Sequence, residues 1–160
     1  IRYAELARAL SAQAGDRVSL RAVRHAVLGL RRAKGMVLDP DDPESVSAGS
    51  FFVNPIVSND VVDDVERRAG ELPAAFPESE ARTKLAAAWL VEHAGFPKGW
   101  GLGRVGLSRK HALALVNRGG ATAQELLDAA RLIRDGVRER FGVVLEPEPV
   151  LVGCSLDPSG

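Results

Sequence analysis

Apolar residues recur at helical spacing in three stretches of the chain. After Ser19, a good N-cap, the positions Leu20, Val23, Val27 and Leu30 share one face of a helix predicted to run to about Lys34, with Gly35 as its stop. After Asn59 and Asp60, either of which can cap, Val61, Val65 and Ala69 repeat in the same way. From Thr122 to about Phe141, Leu126, Ala130, Ile133 and Val137 fall on one face, and Asp128, Arg131, Asp135 and Arg138 lie elsewhere. Thr122 and Glu125 have the spacing of a capping box. Shorter helices are predicted over residues 4–10 and over the alanine-rich run 84–94, where Leu85 and Trp89 align and Gly95 ends the pattern.

Between these stretches the pattern shortens to strand length. Residues 46–53 and 112–117 read as strands, 143–145 and 150–152 as strand-like, and 1–3 as a strand end. Residues 70–82, with Pro73 and Pro77, read as loop. The turn-rich run Asp39-Pro-Asp-Asp-Pro43-Glu44 is the best domain boundary. Strands and helices interleave without a regular βαβ rhythm or an internal repeat, so the predicted fold class is α+β.

Composition narrows the function classes. A length of 160 residues holds one domain, or one domain and part of another, and 46% apolar residues support a core. The 21 basic residues balance 21 acidic ones, which argues against a nucleic-acid partner or a general affinity for membranes. The lone Cys154 forms no internal disulfide and fits a reducing compartment, hence a cytoplasmic location. His25, His93 and His111 are scattered, so no metal is expected. The chain starts at Ile1, without an initiator Met, and reads as a piece of a longer protein.

The stretch Ser47-Ala-Gly-Ser50-Phe-Phe-Val-Asn54-Pro55 carries the sharpest chemistry. Small residues let the backbone approach another surface, and two aromatics exclude water around Ser50, where a hydroxyl can deliver a proton to carbon. Without a partner motif the same stretch is a buried strand entering a turn. Gly101-Leu-Gly103-Arg-Val-Gly106 has the spacing of a dinucleotide fingerprint but follows a proline-containing loop and precedes a strand, so it reads as a flexible connection. Glu146-Pro147-Glu148-Pro149 fixes its backbone and pre-positions a carboxylate, or is a solvated acidic turn. Lys98, between Pro97 and Gly99, can hold an anion, and Arg109-Lys110-His111 adds donors before a strand. Lys34 at a helix end is already explained by the helix dipole.

The ordered set Arg32-Ala-Lys34, Ala48-Gly-Ser50-Phe-Phe-Val-Asn54-Pro55, Lys84-Leu-Ala-Ala-Ala-Trp-Leu-Val-Glu92, Gly95-Phe-Pro-Lys98-Gly, His111-Ala-Leu-Ala-Leu-Val-Asn-Arg-Gly-Gly and Leu145-Glu-Pro-Glu148 resembles the C-terminal half of the UDP-N-acetylenolpyruvoylglucosamine reductases, the MurB flavoenzymes of peptidoglycan synthesis. The resemblance runs across nearly the whole chain. It implies a substrate-binding domain over residues 37–147. The tail of an FAD-binding domain precedes it over 1–36, and a return segment toward that domain follows over 148–160. It further implies that NADPH reduces FAD, that hydride passes to the enolpyruvyl methylene of the UDP-N-acetylglucosamine ether, and that a proton is added at the adjacent carbon, giving UDP-N-acetylmuramate.

On this resemblance Ser50 matches the proton donor and Glu148 the glutamate that stabilises the intermediate. Lys34, Asn54 and Lys98 match positions that hold the UDP-sugar. His111 occupies a substrate-side position where some members carry a different polar residue. The family's glycine-rich phosphate loops, catalytic arginine and substrate-side tyrosine have no counterpart here, so FAD contacts are expected mainly outside this chain, which alone is expected to be inactive. Two other readings stand beside this one: a free-standing sugar-nucleotide-binding module without redox chemistry, and a plain α+β structural domain.

Overall fold

Among the described residues, two small antiparallel sheets and one long helix organise the fold. The computed structural model describes residues 1–157, and the last three residues of the expected return segment lie outside the described residues. The helices are α1 (Ala4–Ala9), α2 (Leu20–Ala33), α3 (Asn59–Ala69), α4 (Ala87–His93) and α5 (Ala123–Phe141). The strands are β1 (Ser47–Ser50), β2 (Ile56–Ser58), β3 (Ala75–Pro77), β4 (Arg82–Leu85), β5 (Gly101–Leu102), β6 (Val105–Leu107) and β7 (Ala114–Asn117). One sheet has the order β1-β7-β6-β5 and the other β2-β4-β3. The mixture is the α+β class expected.

Helix ends follow the capping chemistry in the sequence. Ser19 Oγ accepts from the Ala22 N–H at the start of α2. At α5 the Thr122 hydroxyl accepts from the Glu125 N–H, and the Glu125 carboxylate accepts from the Thr122 N–H. The inner face of α5 buries Leu127, Ala130, Ile133, Val137 and Phe141, with Leu126 at its edge. These side chains meet Val65 of α3, Leu90 of α4, and Val105, Leu107 and Leu115 of the first sheet in one core. Burying each large apolar side chain contributes about 1.5–3 kcal/mol.

Several local expectations are corrected. Residues 75–77 form an edge strand, not a loop, with Phe76 opposite Lys84. Pro77 is tolerated because an edge strand has one unpaired side. The run 84–94 is not helical from its start: Lys84 and Leu85 belong to β4, and the helix begins at Ala87. The Leu85 N–H donates to the Pro55 carbonyl, so tertiary pairing overrides local helix propensity there.

Residues 143–145 and 150–152 form no strand, and residues 1–3 form no strand end. The pairing moves to the turn between 145 and 150. The Val53 N–H donates to the Glu146 carbonyl, the Glu148 N–H donates to the Phe51 carbonyl, and Phe52 faces Pro147. Both bonds fall on residues flanking Pro147, which has no N–H to give.

The glycine-rich run is a hairpin rather than a flexible connection. Gly101 pairs with Gly106, and Gly103 turns with φ of +58°. The Arg118 guanidinium lies across it, donating to the carbonyls of Gly99 and Trp100. A Cβ on Gly106 would lie 2.4 Å from the Trp100 oxygen. Glycine is required for that close approach, and no phosphate is needed to explain it.

Candidate active site

Ser50 ends β1 opposite Ala114 of β7. The register slips between Ser47 and Ser50, where Gly49 takes a φ of +83°. This bulge re-aims the hydroxyl at the end of the strand. Phe51 and Phe52 then turn into the core, 3% and 2% exposed, with their rings edge-on at 5.1 Å. Ser50 itself is half-buried between that core and a groove of about 1700 Å³.

The groove has two walls. Ser45–Ser50, Glu148 and Pro149 line one, and Lys34, Arg31, Arg8 and Glu5 from α1 and α2 line the other, with Phe76 also at the lining. The Glu148 N–H bond to the Phe51 carbonyl sets the Glu148 backbone opposite the residue after Ser50, and Glu148 lines the same groove. Lys34 forms the C-cap of α2 and pairs with Glu5 at 2.8 Å, and this ammonium holds the Glu5 carboxyl below its ordinary range. Gly35 follows with φ of +68°, and a Cβ there would meet the Glu44 carbonyl at 2.9 Å.

The same 3-10 turn, Pro43–Ser45, also fixes the loop that carries His111. The Glu44 carboxylate accepts from the Arg109 N–H at 2.7 Å, and Asp42 pairs with Lys110 at 2.7 Å. Buried Ser108 accepts from the Lys110 N–H. So held, His111 places Nε2 3.0 Å from Ser50 Oγ. Burial, then the positive charges of Lys34 and Lys98, push the imidazole below its ordinary pKa and favour its neutral form.

The structure thus brings Ser50, Glu148 and Lys34 to one groove, with His111 bonded to Ser50 and Lys98 close enough to influence His111. Asn54 is elsewhere. Its side-chain oxygen accepts from the Ala87 N–H at 2.9 Å, at the start of α4, beside a separate cavity of about 460 Å³. Sequence reasoning missed the clamp made by Asp42 and Glu44 and the groove cations Arg8 and Arg31. The clamp spans more than sixty residues, and a surface arginine carries no signal of its own. Among the described residues no group of three His, Cys, Asp or Glu is placed to hold a metal, and no helix is long and apolar enough to cross a membrane.

The family model of the UDP-N-acetylenolpyruvoylglucosamine reductase C-terminal domain matches residues 41–152. Curated proteins named UDP-N-acetylenolpyruvoylglucosamine reductase match along 98% of the chain. The one from Thermobifida fusca is 56% identical over 162 residues, that from Streptomyces coelicolor 54% over 162, and that from Mycobacterium tuberculosis 52% over 164. These alignments cover 46%, 42% and 44% of the relatives, so the chain spans under half their length. The chain belongs to the UDP-N-acetylenolpyruvoylglucosamine reductase family, with that family's C-terminal domain over residues 41–152.

Proposed function

We propose that this chain is the substrate-holding half of a cytoplasmic reductase that converts UDP-N-acetylglucosamine enolpyruvate to UDP-N-acetylmuramate, using FAD and NADPH. In this reading residues 1–36 complete an FAD-binding domain, 37–147 hold the substrate, and 148–160 turn back toward the FAD domain. The observation that carries it is the convergence of Ser50, Glu148 and Lys34 on one groove, with a histidine on the serine oxygen.

The groove fits a flat cofactor along its β1 wall. That wall is backbone with small side chains, and a Cβ at Gly49 would meet nothing within 4 Å. Bound there, FAD would supply the hydride that it takes from NADPH.

The rest of the chemistry falls to this chain. Hydride addition to the methylene leaves negative charge beside the substrate carboxylate, which must be stabilised and then protonated from one face. Ser50 donates that proton. Glu148, fixed by its backbone bond to Phe51, faces the same groove and stabilises the intermediate. Lys34 and Lys98 supply positive charge for the diphosphate as point charges.

In the full-length enzyme, Ser50→Ala is expected to slow reoxidation of reduced flavin by the enolpyruvyl substrate by about 100-fold or more, the scale of a lost general acid. Reduction of the flavin by NADPH should keep its rate. Stopped-flow absorbance separates the two half-reactions, and equal slowing of both would remove Ser50 from the assigned role.

A further inference from the structure

We propose that His111 restores the Ser50 hydroxyl after each proton donation, gaining its own proton when an anionic substrate neutralises Lys34 and Lys98. This rests on the reading of Ser50 as proton donor.

The geometry supplies the path. His111 Nε2 lies 3.0 Å from Ser50 Oγ, within reach of direct proton transfer. Among the described residues no carboxylate is hydrogen-bonded to the imidazole. A histidine that makes a serine nucleophilic is oriented by such a carboxylate, so this pair is not built as a base and nucleophile. The charged groups acting on the ring are Lys34, from the end of α2, and Lys98, from the loop after α4. On its own loop, the Arg109 N–H is bound to Glu44 and the Lys110 ammonium to Asp42, and Glu148 lines the groove with Ser50.

At rest, burial and the two lysines favour the neutral form of His111. A neutral imidazole returns a proton to an alkoxide poorly, because it would become an anion. A substrate carrying a diphosphate and a carboxylate reverses the local charge and favours imidazolium. Nε2–H then donates to Ser50 Oγ and leaves the serine proton free to point into the groove. The enolate's electron pair forms the new C–H bond with that proton as the serine O–H breaks. The serine oxygen takes the proton from Nε2, and the neutral imidazole is recharged from solvent. No electrons move beyond those that the flavin hydride brought.

The test uses the full-length enzyme with 13C-labelled histidine, following His111 Cε1 through a pH titration. Adding UDP-N-acetylglucosamine enolpyruvate should raise the His111 midpoint by about one pH unit or more. UDP-N-acetylglucosamine, which lacks the carboxylate, should raise it less. Flavin reoxidation by the enolpyruvyl substrate should slow as pH rises through the liganded midpoint, because the acid form is required. In His111→Gln that inflection should vanish and the rate fall about 10- to 100-fold, with flavin reduction by NADPH unchanged. A midpoint unmoved by substrate, or an inflection that survives in His111→Gln, overturns the proposal. The wild-type titration decides it even where the variant fails to fold. If Ser50→Ala leaves reoxidation fast, the reading of Ser50 itself falls. If Ser50→Ala slows it but His111→Gln keeps the inflection, only the relay falls.

Discussion

At the scale of single residues, Asn54 separates a structural role from a ligand role. Its Oδ1 satisfies the Ala87 N–H, one of the orphan donors at the start of α4. Asn54→Ala should therefore destabilise the fold by about 0.5–2 kcal/mol, the usual loss for a helix cap. Asn54→Asp keeps the acceptor and should recover most of it, as urea denaturation would show. If Asp is as unstable as Ala, the cap is not what the side chain provides. The neighbouring Ser50 was visible from its motif, because glycine, hydroxyl and paired aromatics lie in one short stretch. Its bond to His111 was not visible. The two residues are 61 apart, and only the β1–β7 register brings them together. Lys34 shows the opposite limit: the helix dipole accounts for it in the sequence, yet its ion pair with Glu5 and its effect on His111 arise only from packing.

At the scale of elements, the β5–β6 hairpin shows why a spacing is not a site. Its glycines clear room for the Arg118 guanidinium and for the Trp100 carbonyl, and that clearance has an energetic signature. Gly106→Ala pushes a methyl into a backbone oxygen that cannot rotate away, so it should cost about 1–3 kcal/mol, the range for overpacking. Placing Gly106→Ala in an Arg118→Ala background should not rescue it, because the carbonyl remains. Full rescue in chemical denaturation would instead make Arg118 the sole obstacle. The long helices were legible because period and caps agree over three or more turns, as at Ser19 and Thr122. The second sheet was not. Its strands are three or four residues long, one ends in Pro77, and another shares Lys84 and Leu85 with a helical pattern. Their pairing is decided by partners far along the chain, which short patterns do not encode.

At the scale of the whole molecule, the two walls of the groove differ in how they are held. Among its 19 residues α5 buries six, whereas α2 buries none of its 14 and α1 buries only Ala7. β1 is paired to the buried strand β7, whereas α1 and α2 pack on each other and bury little apolar surface. Elements with few buried apolar contacts open at lower free energy than the core. Amides in α2 should therefore exchange with deuterium about 100-fold faster than those in the centre of α5, a gap of about 2.7 kcal/mol. Equal protection would mean that the helical wall unfolds only with the core. The difference bears on chemistry, because Lys34, at the end of α2, and Ser50, at the end of β1, line the same groove. A nucleotide sugar that bridges the groove should slow exchange in α2 while leaving α5 unchanged. Binding would then order the wall that carries Lys34, coupling substrate capture to the charge that His111 experiences.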